Sequence, residues 1–225
     1  LPHGLGKWID KTLQPIAAAQ LSYLKDSFAL KDILTTLCLP PNALLFTCDA
    51  VSMYANIQTA PAFNLISAYL RANEGTLFHH YHYHSDTIIE ALEIVFQNNF
   101  LQFGDTYWQQ ISGTGMGISP APPWATIFYA LHEQQFLPEW TEHVILYNGF
   151  IDDVIGIWRP HPCPKQNEIL WHKFQQRMQE WHGLQWEFTT PSTSCTFMDM
   201  TIAINNNTAT TTIFEKAQNL YLYIP

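Results

Sequence analysis

With 225 residues, 47% of them apolar and 14% aromatic, the chain can bury a substantial core and does not have the composition of a disordered protein. Ten Lys and Arg against nineteen Asp and Glu give a net charge of −9. That balance excludes a self-sufficient grip on a nucleic-acid backbone, which needs a basic stripe. No apolar run reaches ~18 residues, so no membrane-spanning helix is expected.

The chain begins LPHGLGKWID, without the basic end and apolar core of a signal peptide. It ends LYLYIP, a strand-like run, and both ends read as cuts within a longer protein. Residues 12–37 read as helix with breaks, and 43–49 as a buried strand. TAPAFNLISAYLRAN (59–73) reads as a helix with Pro61 in its tolerant first turn. SDTIIEALEIVFQNN (85–99) reads as another, with Ser85 as its cap and Ile88, Leu92, Val95 and Phe96 at helical spacing. FLQFGDTYWQQ predicts a hairpin turning at Gly104-Asp105. The Gly- and Pro-punctuated SGTGMGISPAPPW leads into a helix over 124–136, with Trp124, Ile127, Phe128 and Leu131 on one face. HVILYNGFIDDVIGIW reads as strand, turn, strand. NEILWHKFQQRMQEW reads as a helix facing inward through Leu170, Phe174, Met178 and Trp181. LQWEFTT, CTFMDMTIAI and TATTTIFEK read as closing strands, the last two joined at Asn205-Asn206-Asn207. The class is therefore α+β, helices backing an antiparallel sheet.

Cys38, Cys48, Cys163 and Cys195 show no paired spacing and read as reduced core thiols. The Trp residues read as core, with Trp158 and Trp186 beside the hairpin at 143–158. Asp199 is expected on a strand face with Phe197 and Thr201, in a structural hydrogen-bonding role. His79, His80, His82 and His84 could chelate zinc, since the last three share a strand face. A polar insertion between helices is the plainer reading, because no Cys or carboxylate completes a shell.

Asp49 ends an apolar strand, and Asp152-Asp153 occupies a hairpin turn between apolar runs. Strand neighbours point to opposite faces, so only a turn lets adjacent aspartates approach one site. Clustered carboxylates repel and raise one another's pKa. A divalent cation resolves this, and Mg²⁺ in particular takes one or two carboxylates and completes its shell with water and phosphate.

These stretches, taken in order, resemble reverse transcriptases, and most closely those of Penelope-like retroelements. FTCDAVSMYANI resembles the family's first palm motif. NNFLQFGDTYWQQISGTGMGISPAPPWATIFYA resembles its long second motif, and FIDDVIGIW its Tyr-Ile-Asp-Asp element. TFMDMTIAI and IFEKAQNLYLYIP resemble the two elements that follow, and LGKWIDKTLQPI the segment just upstream.

The resemblance implies a helical lead-in at 1–40 and a polymerase palm at 41–225, with fingers and thumb largely missing. It implies an RNA-directed DNA polymerase in which Asp49, Asp152 and Asp153 hold two Mg²⁺ ions, with Mn²⁺ able to substitute and Asp49 and Asp152 as the main bridging ligands. It places Ala50, Tyr54, Gly113, Thr114, Gly115, Met116 and Gly117 around the incoming nucleotide, Tyr54 as the gate beneath the sugar. Lys216 falls near primer or phosphate. The implied partners are an RNA template, a DNA primer, deoxynucleoside triphosphates and the missing fingers, thumb and endonuclease domains. The implied location is intracellular and nuclear. Asn148-Gly149-Phe150, Ala55 and Ala217 depart from the family's usual residues, but none removes a metal ligand. The rival expectation is a degenerate palm that serves as a binding module.

Overall fold

The computed structural model describes residues 2–78 and 84–214. They form α1 (Pro2–Ala18), α2 (Ser27–Thr36), β1 (Leu44–Ala50), single-turn α3 (Met53–Asn56), α4 (Thr59–Ala72), single-turn α5 (Glu74–Leu77) and α6 (Ser85–Gln97). The hairpin β2 (Phe100–Phe103) and β3 (Thr106–Gln109) follows, then α7 (Ala121–Phe136), β4 (Val144–Phe150), β5 (Asp153–Trp158) and α8 (Pro164–Gln179). Four short strands close the described residues: β6 (Trp186–Phe188), β7 (Ser194–Phe197), β8 (Met200–Asn205) and β9 (Thr208–Ile213). No helix among the described residues is long and apolar enough to cross a membrane.

Two compact units interleave along the chain. One comprises residues 1–23, 50–138 and 175–187; the other comprises 24–49, 139–174 and 188–225.

The second unit holds the antiparallel ladders β4–β5 and β5–β1. Alternation gives this sheet two different faces. On one side Phe46 and Trp158 meet α8. Phe46 lies 5.0 Å from Trp171 and 5.6 Å from Phe174 between ring centroids, and Trp158 lies 5.1 Å from Trp171. On the other side Leu45, Ile155 and Ile157 join Leu30 and Leu34 of α2 and Phe197 and Ile202 of the β7–β8–β9 meander in one core. The Leu24 N–H donates to the Gly149 carbonyl at 2.9 Å, and Leu45 and Ser192 exchange bonds on the side of β1 away from β5.

Gly156 is the residue on which this packing turns. Its Cα pairs with that of Phe46 across the ladder. A Cβ placed on Gly156 would overlap the outer edge of the Phe46 ring. Phe46 is fully buried, so the ring occupies the space that a side chain at 156 would need. An isolated glycine in a strand often marks such a close approach.

The first unit is mostly helical. Ile9 and Leu13 of α1, Ile66 and Leu70 of α4, Ile88 and Leu92 of α6, and Trp124 and Phe128 of α7 are all buried. Helix α7 is inward on nearly every side, His132 and Glu133 included. Glu133 accepts from the buried Ser22 hydroxyl. His132 stacks on Trp181 at 4.7 Å, and its Nε2 sits 3.2 Å from the Arg177 carbonyl, so Nε2 carries the proton.

Burial pushes the His132 pKa down from 6.5 to about 4. Between those values the unfolded chain takes a proton that the folded one refuses, so stability is full above 6.5 and declines as pH falls towards 4. The group should remove up to roughly 3 kcal/mol across that window. Urea unfolding at several pH values is expected to show the decline in wild type and a flatter profile in His132→Phe, which keeps the stack.

Several elements differ from expectation. Helix α1 starts at Pro2, before the expected 12, while residues 19–26 form a break within 12–37 as expected. Ser85 is the first residue of α6 and not its cap; its hydroxyl donates to Glu74 at 2.7 Å. CTFMDMTIAI is two strands, because Met198 takes φ 52° and turns the chain between β7 and β8. Asp199 lies in that turn, exposed, and contributes its backbone carbonyl to the Phe214 N–H. Leu131 and Leu170 are only half-buried, and Trp171 takes the inward place on α8. No disulfide joins the cysteines, but Cys38 and Cys163 are exposed. Trp108 is exposed as well, on a β2–β3 hairpin open to solvent along both strands. Trp158 is fully buried at the end of β5, and Trp186 packs 5.6 Å from Tyr129.

Candidate active site

Asp49 lies one residue from the end of β1 and is exposed. Its direct cross-strand partner is Asp153, the first residue of β5. Opposed residues in an antiparallel pair share a face with Cβ atoms ~4.5–5.5 Å apart. Two carboxylates are thus set side by side at one end of the sheet by ladder register alone. The β4–β5 connection is a two-residue loop, Ile151-Asp152, closed by the Phe150–Asp153 pair. Ile151 adopts φ 57°, a left-handed conformation that costs a β-branched residue ~1–3 kcal/mol. The ladders on both sides hold it there, and the tight turn keeps Asp152 beside Asp153.

The electrostatics agree with this crowding. The Asp153 carboxyl is raised above its ordinary 3.8, first by burial, then by the charge of Asp152, then by that of Asp49. Two neighbouring negative charges thus add to burial in disfavouring its ionised form. Among the described residues, no set of three or more His, Cys, Asp or Glu closes into a metal cage. The donor set still suits Mg²⁺, a hard cation that takes one or two protein carboxylates and leaves its remaining positions to water and phosphate.

The first unit gathers the other predicted residues. Ala50 is buried where β1 ends, and Ser52 (φ 47°) turns the chain into α3, which carries the half-buried Tyr54. The Thr114 N–H donates to the Tyr54 carbonyl at 2.6 Å, and the Thr59 hydroxyl donates to the Gly113 carbonyl at 2.9 Å. A Cβ on Gly113 would meet the Ala55 carbonyl oxygen at 2.9 Å, and Gly113 also has φ 78°. Only glycine serves both requirements. Gly115 lies against the Asn99 amide, Gly117 takes φ 86°, and Met116 is 81% exposed. The loop over 113–117 is thereby tied to the turn after β1, although ~60 residues intervene. Lys216 and His79, His80 and His82 lie outside the described residues. His84 sits just before α6, and its Nδ1 is 2.6 Å from Glu74.

No family model matches the chain, and no curated protein matches its sequence. Solved structures do match its shape. A telomerase from Candida albicans in complex with a fragment of telomeric RNA aligns over 91% of this chain with a TM-score of 0.64 and 12% identity. An apo telomerase from Candida tropicalis, truncated from its C-terminal domain, aligns over 92% with a TM-score of 0.58 and 15% identity. The BmCPV RNA-dependent RNA polymerase at elongation state aligns over 92% with a TM-score of 0.63 and 11% identity.

The fold is that of a polymerase palm. In the order given, the chain spans 38%, 44% and 20% of those proteins. The palm's α+β layout was legible from the strand and helix patterns. Gly156 and the side chains around the Gly113–Gly117 loop were not singled out. An isolated Gly inside the apolar DDVIGIW was the available signal for the former.

Proposed function

We propose that this palm belongs to a template-directed nucleotidyltransferase, an RNA-directed DNA polymerase of the Penelope-like type. The observation that carries the reading is the Asp49–Asp153 cross-strand pair with Asp152 at the adjoining hairpin tip. The likeness to telomerase and viral polymerase folds supports the polymerase class. The ordered motifs that resemble Penelope-like reverse transcriptases support the RNA template, DNA primer and deoxynucleoside triphosphates.

In this reading Asp49, Asp152 and Asp153 would hold two Mg²⁺ ions. The bound metal supplies charge stabilisation at the reacting phosphate and lowers the pKa of the attacking hydroxyl. The hydroxyl oxygen bonds the α-phosphorus, the bond to pyrophosphate breaks, and the hydroxyl proton passes to solvent water. The ladder fixes the backbones of Asp49 and Asp153 before substrate arrives, which limits the reorganisation that opposes the reaction. The Gly113–Gly117 loop offers backbone to an incoming nucleotide without side-chain obstruction.

The test is thermal melting of the chain with MgCl₂ or MnCl₂, alongside primer extension on an RNA template. Saturable stabilisation in wild type that is lost in Asp153→Asn is expected. Identical melting in both, at any metal concentration, would mark a palm without a metal site, as in a degenerate binding module.

Tyr54 provides a second test. A polymerase that prefers deoxynucleotides must reject one extra hydroxyl, and a clash achieves what attraction cannot. In extension-competent enzyme, Tyr54→Val is expected to raise ribonucleotide use relative to deoxynucleotide use by about 10- to 100-fold, roughly 1.4–2.8 kcal/mol of lost discrimination. An earlier melt with unchanged sugar preference would make Tyr54 a packing residue.

A further inference from the structure

Within the first unit, α4, α6, the end of β3 and the loop that follows it line an open cleft of about 410 Å³. Gly113 and Gly115 of the loop assigned above to the incoming nucleotide line one side of it, so the inference deepens that reading, whereas none of Asp49, Asp152 or Asp153 lines it. Its volume suits a small planar ligand. Phe63 and Phe96 contribute aromatic surface, and each is anchored against Trp124, at 6.2 and 4.7 Å between ring centroids. The polar lining is unusually uniform. It is dominated by carboxamides, Asn64, Gln97 and Gln109 among them, and Glu93 is its one ionisable group.

The hydrogen bonds give the lining a polarity. Gln97 Nε2 donates to Glu93 Oε1 at 2.8 Å, and Gln109 Nε2 donates to the Gln97 backbone carbonyl at 2.7 Å. Amide nitrogens are thus engaged within the wall. On these exposed side chains, the Gln97 and Gln109 oxygens and the second Glu93 oxygen can accept from a ligand in place of water. A matching ligand is flat, stacks on phenyl rings and presents adjacent N–H donors on one edge. Guanine does this, with its ring N–H beside its amino group, and unpaired bases are read through stacking and edge hydrogen bonds of this kind. A phosphate is a poor match, because the only charge in the lining is negative and the whole chain carries −9.

We propose that this cleft binds an unpaired guanine-type nucleobase, stacked on Phe63 and Phe96 with its amino edge on Glu93 and its sugar-phosphate outside. The site does not depend on the metal chemistry of the carboxylates. It gives the palm a contact to one base of a single strand, or to a free nucleoside.

The test is titration of the chain with guanosine, inosine, uridine and GTP, followed by ligand-observed NMR in metal-free buffer. A short single-stranded uridine oligonucleotide carrying one guanine is titrated in parallel. Guanosine is expected to bind saturably. Inosine, which lacks the amino group, should bind at least about 10-fold more weakly, and uridine should not compete. Glu93→Gln and Asn64→Ala should each weaken guanosine about 10-fold without changing the melting temperature, while the exposed-turn variant Asp105→Asn should bind as wild type. Tighter binding of the oligonucleotide than of guanosine assigns the site to a strand; binding of guanosine at least as tight as that of the oligonucleotide assigns it to a free nucleoside, and GTP should bind no more tightly than guanosine. Absence of guanosine binding, equal binding of uridine, or full binding by both Glu93→Gln and Asn64→Ala would overturn the proposal. Because no divalent cation is present, failure of the metal reading leaves this result untouched.

Discussion

Asp49→Asn and Asp153→Asn are each expected to lower nucleotide addition by on the order of 10³-fold or more, about 4 kcal/mol, in extension-competent enzyme. The carboxamide keeps the shape of the carboxylate but binds Mg²⁺ weakly. The same substitutions should leave the metal-free fold intact and raise its melting temperature. The sign follows from the raised pKa of Asp153. A carboxyl that is harder to ionise in the folded state favours folding most when protonated. That advantage is lost as pH rises from the unfolded value, 3.8, through the raised folded one. At neutral pH the ionised group therefore works against the fold, and asparagine removes the conflict. Loss of activity with a higher metal-free melting temperature is the expected pair of results. Loss of activity with a lower melting temperature would make these aspartates structural, and unchanged extension would remove them from the chemistry.

Gly156→Val is expected to destabilise the protein by about 3 kcal/mol. The new side chain would have to displace the Phe46 ring, which is enclosed by Trp171 and Phe174. Overpacking of a closed aromatic cluster forces side chains off their rotamers or separates the strands. Urea midpoints measure the loss. Shortening the obstacle should recover part of it, so Phe46→Leu combined with Gly156→Val should be at least about 1 kcal/mol more stable than the sum of the single changes predicts. Strict additivity would show that the ring does not set the requirement at 156. Because Gly156 shares β5 with Asp153, the substitution should also weaken metal-dependent stabilisation.

Much of the architecture was readable in the amino-acid order, because its determinants are local. Short continuous apolar runs specify β1, β4 and β5, and a two-residue interruption specifies the turn between the last two. Helical spacing specifies α4, α6 and α7. The ordered aspartates and the Gly-rich loop identify which residues belong to a site, since short-range chemistry and spacing are written in one dimension.

The tertiary structure decided pairings that no local pattern contains. Only the β1–β5 register sets Asp153, and not Asp152, opposite Asp49. Register is a relation between strands ~100 residues apart, and a slip of one residue would send one carboxylate to the other face. The turn at Met198 divided a run that reads as one strand, because packing of Phe197 and Ile202 into one core overrides local propensity there. The Gly156–Phe46 fit, the burial of His132 against Trp181 and the amide cleft beside α4 likewise depend on which distant side chain arrives next to which. Periodicity tells a residue which way to face; only the folded chain determines what it meets.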